Sequence, residues 1–232
     1  MQSHYDHYSH QAKFPVAVDC VVFGYEDDTL KLLLYPRRFE PQKGDWSLMG
    51  GFVHQHESIG QTVARVLSDT VGLQDIFVEQ VAAYFDPERD PGGRVISIAH
   101  YALIRISEHD NQLVDMKGGV WWPITNVPNL IFDHELMVAD ALKKLQFKAT
   151  YHLIGKDLLP EHFTLTQLNN LYNAIFQQNF NPGNFRKKLA TLHLLHKLDK
   201  KDTDGSKRGA YYYTFNDEIP QLQSDRIVKV KP

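Results

Sequence analysis

Over residues 1–149 the apolar positions switch between two periods. Segments 16–23 and 30–35 are apolar and rich in β-branched and aromatic side chains, which predicts two strands split by the turn-forming run Glu26-Asp27-Asp28. Between 58 and 71, Ile59, Val63, Val66 and Leu67 recur at three- and four-residue steps, the period of an amphipathic helix. Gly72 stands just past its end, where a glycine stops a helix without steric cost. Residues 76–85 and 95–106 read as further strands and 120–123 as a short one. Asp133 can cap a helix that runs to about residue 147, with Leu136, Ala139, Leu142 and Leu145 along one face.

From residue 150 onward the pattern changes. Phe163-Thr164 precedes a helix with Leu168, Leu171, Ile175 and Phe176 on one side. Residues 179–183 contain Pro182-Gly183 and read as a turn. A second helix is expected over 184–198, with Phe185, Leu189, Leu192 and Leu195 as its stripe, then a polar stretch 200–209 and an aromatic strand 210–215. Helix, short turn, helix and basic hairpin is the order of a winged helix-turn-helix. Two domains are expected, 1–149 and 150–232.

Charge sharpens that division. The formal charge of −3 splits into −7 over residues 1–149 and +4 over 150–232. Residues 184–208 alone carry eight basic and three acidic side chains, which points to a polyanion partner for the second domain. No stretch approaches the roughly 18 uninterrupted apolar residues of a membrane span, so no membrane partner is expected. The N-terminus lacks an apolar signal core and Cys20 is the single cysteine, so a reducing cytoplasm is the expected compartment.

The segment GGFVHQHESIGQTVARVLSDTVGL beginning at Gly50 resembles the Nudix box, G-x5-E-x7-R-E-U-x-E-E-x-G-U with U bulky and apolar. Gly51, Glu57, Arg65, Leu67, Gly72 and Leu73 fall in register, and Trp46–Val53 resembles the usual lead-in apart from Met49 in place of proline. In the family, three glutamates at helical spacing i, i+3, i+4 share one face and hold a divalent metal. Here the three positions are Val66, Asp69 and Thr70. Valine offers no ligand atom, threonine is neutral and aspartate is one methylene short, whereas magnesium wants hard oxygens in an octahedral array. Without metal, nothing activates water or offsets diphosphate charge. The expectation is therefore no catalytic residue, no metal site, no cofactor and no enzyme activity. Glu57 and Arg65 remain as a brace for the loop before the helix. An active pyrophosphatase recruiting a base from Glu79, Asp86, Glu88 or Asp90 is the alternative.

A pocket can outlive its chemistry. Arg38, Arg89 and Asp90 suit anion or hydroxyl recognition, Asp86 belongs to the same charged loop, His56 lies in the box loop, and Trp46 can stack on a sugar or base face. These six residues are the candidate effector contacts. On the second domain, Asn184 and Arg186 suit base edges and Lys187 and Lys188 suit phosphates. Thr164 and Thr166 are candidates for backbone contact, and Lys207 and Arg208 for the wing. A helix N-terminus also presents free N–H groups to phosphate.

Both halves together resemble the Nudix-related transcription regulator family, through the box, residues 86–91, Phe132-Asp133-His134, residues 159–164, 184–189 and 208–215. The resemblance implies a Nudix-like α/β/α sandwich with a C-terminal winged helix, a homodimer, palindromic operator DNA and a small effector. In that family some members respond to ADP-ribose and control NAD metabolism, and others control sugar catabolism. The loss of metal carboxylates and the few arginines near the box favour a neutral sugar such as L-arabinose, with a regulator of carbohydrate catabolism as the function and an ADP-ribose-responsive regulator as the alternative.

Overall fold

The structure is a computed structural model of the 232-residue chain and describes residues 9–203, 209–218 and 226–228. Strands β1 (Val16–Glu26) and β2 (Thr29–Pro36) form a hairpin whose turn holds Asp27 and Asp28 at φ 48° and 57°. Aspartate tolerates this left-handed region because its short side chain bonds locally. There follow β3 (Trp46–Ser47), β4 (Met49–Phe52), helix α1 (Ile59–Val71), β5 (Glu79–Tyr84), β6 (Ile96–Arg105), α2 (Glu108–Lys117), β7 (Val120–Pro123) and α3 (His134–Tyr151).

β1 organises this half. One edge is shared by β4 along Ala17–Cys20 and β2 along Phe23–Glu26, and the other is filled by β6 in parallel. The sheet runs β3-β2-β1-β6-β5, with β4 on β1 and β7 on β2. Successive side chains of a strand point to opposite faces. Val21, Phe23 and Tyr25 accordingly join the core under α3, and Val18, Cys20 and Val22 join a second core under α1. Covered on both faces, β1 is apolar almost throughout, as the physics of a doubly buried strand requires. The result is the expected α/β/α sandwich.

In the second half β8 (Phe163–Thr164), α4 (Leu165–Phe176), α5 (Pro182–Leu192), β9 (Leu195–Asp202) and β10 (Ala210–Phe215) form the winged helix, with strand order β8-β10-β9. Tyr172 of α4 packs on Phe185 of α5 at 5.1 Å between ring centroids, which fixes the angle between the two helices. Among the described residues no helix is long and apolar enough to cross a membrane.

Several elements depart from the sequence expectation. Helix α2 was not anticipated, because its residues are mostly polar; its signal is the capping box of Ser107 with Asp110. Pro182 and Gly183 open α5 rather than forming the turn, since proline at the first helical position loses no hydrogen bond. The helix expected to reach 198 stops at Leu192: His193 turns left-handed at φ 52°, and Leu195 passes into β9. Helix α3 continues to Tyr151, past the boundary expected at 149.

Thr164 caps α4, its hydroxyl accepting from the Gln167 amide while the Gln167 side chain accepts from the Thr164 amide. Thr164→Ala should cost about 1 kcal/mol, a fall of about 2–4 °C in melting temperature for a protein of this size. Thermal unfolding followed by circular dichroism measures it.

Candidate functional site

The box folds as a strand, a loop and a helix, β4 to α1. Ser58 and Gln61 cap α1 reciprocally, and Gly72 ends it at φ 81° with its amide bonded to the Ser68 carbonyl. Arg65 grips Glu57 with two hydrogen bonds, Nε–Oε1 at 2.6 Å and Nη2–Oε2 at 2.8 Å, and donates to the Phe52 carbonyl at 2.9 Å. Glu57 also accepts from the His54 amide and the Thr62 hydroxyl. Arg65 above all, with these donors, holds the Glu57 carboxyl down at about 2. The pair braces the box loop against the helix, as the residue types suggested.

The three positions that carry metal ligands in the family do not fit a metal here. Val66 is 2% exposed and belongs to the core under α1. A side chain on Gly51 would meet its Cγ2 at 2.7 Å, so valine and glycine are mutually fitted. Asp69 is exposed, and the Thr70 hydroxyl is turned back to donate to the Val66 carbonyl. Among the described residues no group of three His, Cys, Asp or Glu side chains could hold a metal ion.

Beside the box lies a cavity of about 580 Å³, lined among others by Asp19, Arg37, Arg89, Asp90, Phe132 and His134. That volume suits a small-molecule ligand. Its floor is a buried charge cluster. Arg89 donates to both carboxylate oxygens of Asp133, Nε–Oδ2 at 2.8 Å and Nη2–Oδ1 at 2.7 Å, with Asp19 Oδ2 at 3.7 Å from Nη2. Burial works against the Arg89 charge, but the hydrogen bonds to Asp133 and the nearby carboxylates more than restore it, so its pKa rises. Asp19 is held by the Ser97 hydroxyl at 2.6 Å. His134 accepts the Leu48 amide on Nδ1 at 3.1 Å, and burial above all lowers its pKa, which keeps the ring neutral.

Of the six expected effector contacts, the structure brings Arg89 and Asp90 to this cavity. The other four lie elsewhere. Arg38 is exposed and donates to the Lys117 carbonyl at 3.0 Å. Trp46 packs edge-on against Trp122 at 5.4 Å, a core role. His56 is exposed on the box loop, and exposed Asp86 accepts from the Glu88 amide within its own turn. The run Arg37-Arg38-Phe39-Glu40 after β2 also reads as pocket lining from the sequence, and Arg37, Phe39 and Glu40 line the cavity; sequence reasoning missed Asp19, Arg94 and His134. Asp19 had a signal: a carboxylate inside an otherwise apolar strand demands a buried partner.

On the winged helix, Asn184, Arg186 and Lys187 are exposed along the first turns of α5, with Lys188 partly exposed beside them. Phe185 and Leu189 face inward, so the polar positions are left on the outer side. Thr166 is exposed, but Thr164 is buried as the cap of α4 and is not available to DNA. Lys197 and Lys201 of β9 lie over the Tyr211 ring at 3.4 and 4.6 Å, extending the basic face onto the hairpin. Lys207 and Arg208 lie outside the described residues.

Comparison with known proteins gives the two halves their relatives. Residues 13–144 match the NUDIX domain, and residues 155–215 match the NrtR DNA-binding winged helix domain. The ADPR responsive transcriptional repressor NtrR of Acinetobacter baylyi is 30% identical over 204 residues, covering 86% of this chain and 81% of that protein. An ADP-ribose pyrophosphatase of Methanocaldococcus jannaschii is 35% identical over 128 residues, 55% of this chain and 73% of that one. Shewanella oneidensis NrtR, solved in complex with a 27mer DNA, superposes with a TM-score of 0.74 at 29% identity, covering 91% of this chain and 98% of that one. Its NUDIX domain in complex with ADP ribose superposes at 0.52 with 31% identity, over 61% of this chain and 94% of that one. A NUDIX fold joined to an NrtR-type winged helix over nearly the whole chain leaves one assignment: the chain belongs to the Nudix-related NrtR family of transcription regulators.

Proposed function

We propose that this chain is an ADP-ribose-responsive transcriptional repressor whose Nudix domain binds its effector without hydrolysing it. The observation that carries the reading is buried Val66 in a box that otherwise keeps its register. The pocket is retained while the seat for metal is filled with hydrocarbon. The protein acts in the cytoplasm as a homodimer on palindromic operator DNA, with α5 in the major groove and the β9–β10 hairpin beside the phosphates.

The effector follows from the cavity. The sequence argument for a sugar has two grounds, the loss of metal carboxylates and the few arginines near the box, and the second does not hold in the folded chain. Arg37, Arg89 and Arg94 all line the cavity, so a diphosphate has charge-assisted donors within reach. The relatives from Acinetobacter baylyi and Methanocaldococcus jannaschii both carry ADP-ribose in their names. Together these favour ADP-ribose over L-arabinose and give no support to a role in carbohydrate catabolism.

The similarity to a pyrophosphatase sets the sharpest test. Incubated with ADP-ribose and Mg²⁺ or Mn²⁺, the protein should release no AMP; turnover near ~1 s⁻¹, an ordinary enzyme rate, would make it a hydrolase. ADP-ribose at a hundred times its Kd should stabilise the fold by about 2.7 kcal/mol, raising the melting temperature where pentoses and hexoses leave it unchanged. Arg186→Ala should weaken operator binding by about 1–3 kcal/mol and relax specificity. Lys187→Ala should weaken all DNA evenly and reduce the salt slope by about 1. Fluorescence anisotropy over a salt series separates the two.

A further inference from the structure

Helix α3 touches both the effector cavity and the winged helix, as does β2, whose Tyr35 lines the cavity and which packs against α4. Its 18 residues span roughly 27 Å at 1.5 Å per residue. At its start, His134 lines the cavity and Asp133, the N-cap residue, is gripped by Arg89. At its end, Gln146 donates to the Ile175 carbonyl of α4 at 3.0 Å. One residue beyond it, the His152 carbonyl accepts the Tyr172 hydroxyl at 3.2 Å, and Tyr172 lies in the heart of the winged-helix core.

The start of α3 has a feature that the other described helices of eight or more residues lack. Ser58, Ser107, Thr164 and Asn181 each cap their helix through a side-chain oxygen, whereas Asp133 makes no such bond. Aspartate is among the best N-cap residues, and its carboxylate is drawn to the positive end of the helix dipole. Both Asp133 oxygens are held by the Arg89 guanidinium, and its backbone stands at φ −99° and ψ 17°, whereas the four capping residues are extended. The carboxylate holds the cavity arginine and leaves the first-turn amides of α3 without a side-chain cap.

We infer that Arg89 and Asp133 form the switch through which an anionic effector in the cavity is read by the DNA-binding domain. This rests on the proposed ADP-ribose response. The diphosphate of a bound ligand competes for the Arg89 fork, which matches phosphate as well as carboxylate. Asp133, released, turns to the Glu135 and Leu136 amides and caps α3. The change at the first turn resets the seating of the helix, and the helix carries it to α4 through Gln146 and His152. This supplies what an allosteric account needs: one element with two arrangements, biased differently by ligand and by DNA.

The test is Asp133→Asn in the full chain. An amide caps a helix as well as a carboxylate does but cannot answer the Arg89 charge, so this variant rests in the released arrangement. Operator affinity is measured with and without saturating ADP-ribose, and their ratio is the coupling, about 5–150-fold for ordinary allostery. In the variant the ratio should collapse toward 1. Its affinity without ligand should match that of ligand-saturated wild type, and ADP-ribose should bind no more weakly than to wild type. A variant that keeps the wild-type ratio overturns the switch. A wild type whose DNA affinity ignores ADP-ribose overturns the regulator reading itself. Should the variant misfold, hydrogen exchange on the wild type decides: ADP-ribose should slow exchange at the amides of Glu135 and Leu136, and unchanged or faster exchange there overturns the switch.

Discussion

A guanidinium taken out of water must find its counter-charge inside the protein, and that requirement shapes the floor of the cavity. Arg89 is 8% exposed and meets Asp133 face to face, with Asp19 close behind. Removing one partner of such a pair typically costs about 3–5 kcal/mol, because the other charge stays buried alone. The pair draws together segments far apart in sequence: the charged loop after β5, the middle of β1 and the start of α3. His134 adds the lead-in to the box through the Leu48 amide, a bond that only a neutral ring can accept at that nitrogen.

Around this floor the two halves have followed different paths. The box keeps what a scaffold needs, which is the Glu57–Arg65 brace, the Ser58 cap and the Gly72 stop. At 66, 69 and 70 it holds valine, aspartate and threonine, one carboxylate among the three. The winged helix keeps its apolar faces inward and leaves a run of polar and basic side chains on the outer side of α5, with lysines stacked on the aromatic strand β10. Ligand recognition and nucleic-acid recognition therefore sit on separate elements, with α3 between them.

Much of this was legible in the residues. The alternation of apolar periods located β1, β2, α1, β6 and α4 to within a few positions, because burial on defined faces leaves its mark every two or every three to four residues. Helix α2 escaped because it buries little, so its only mark is a capping pair. The end of α5 escaped because the apolar stripe through Leu195 continues unbroken where the backbone turns at His193, and periodicity does not register a change of backbone. The cavity was half legible. Arg89 and Asp90 share a loop whose charge is visible in one dimension, whereas Asp19 and His134 come together only through the parallel pairing of β1 and β6 and the docking of α3. Trp46 and Arg38 carried suitable chemistry but are spent on packing and on a surface carbonyl.

The fit between Gly51 and Val66 also limits what position 66 can hold. Glutamate at 66 would thrust a carboxylate into the space beneath α1 that Cys20, Met49 and Val63 fill. Asp69 and Thr70 would have to change as well before any ion could settle. Each substitution alone would cost stability or gain no ligand set, so hydrocarbon packing makes positions 66, 69 and 70 an all-or-nothing group.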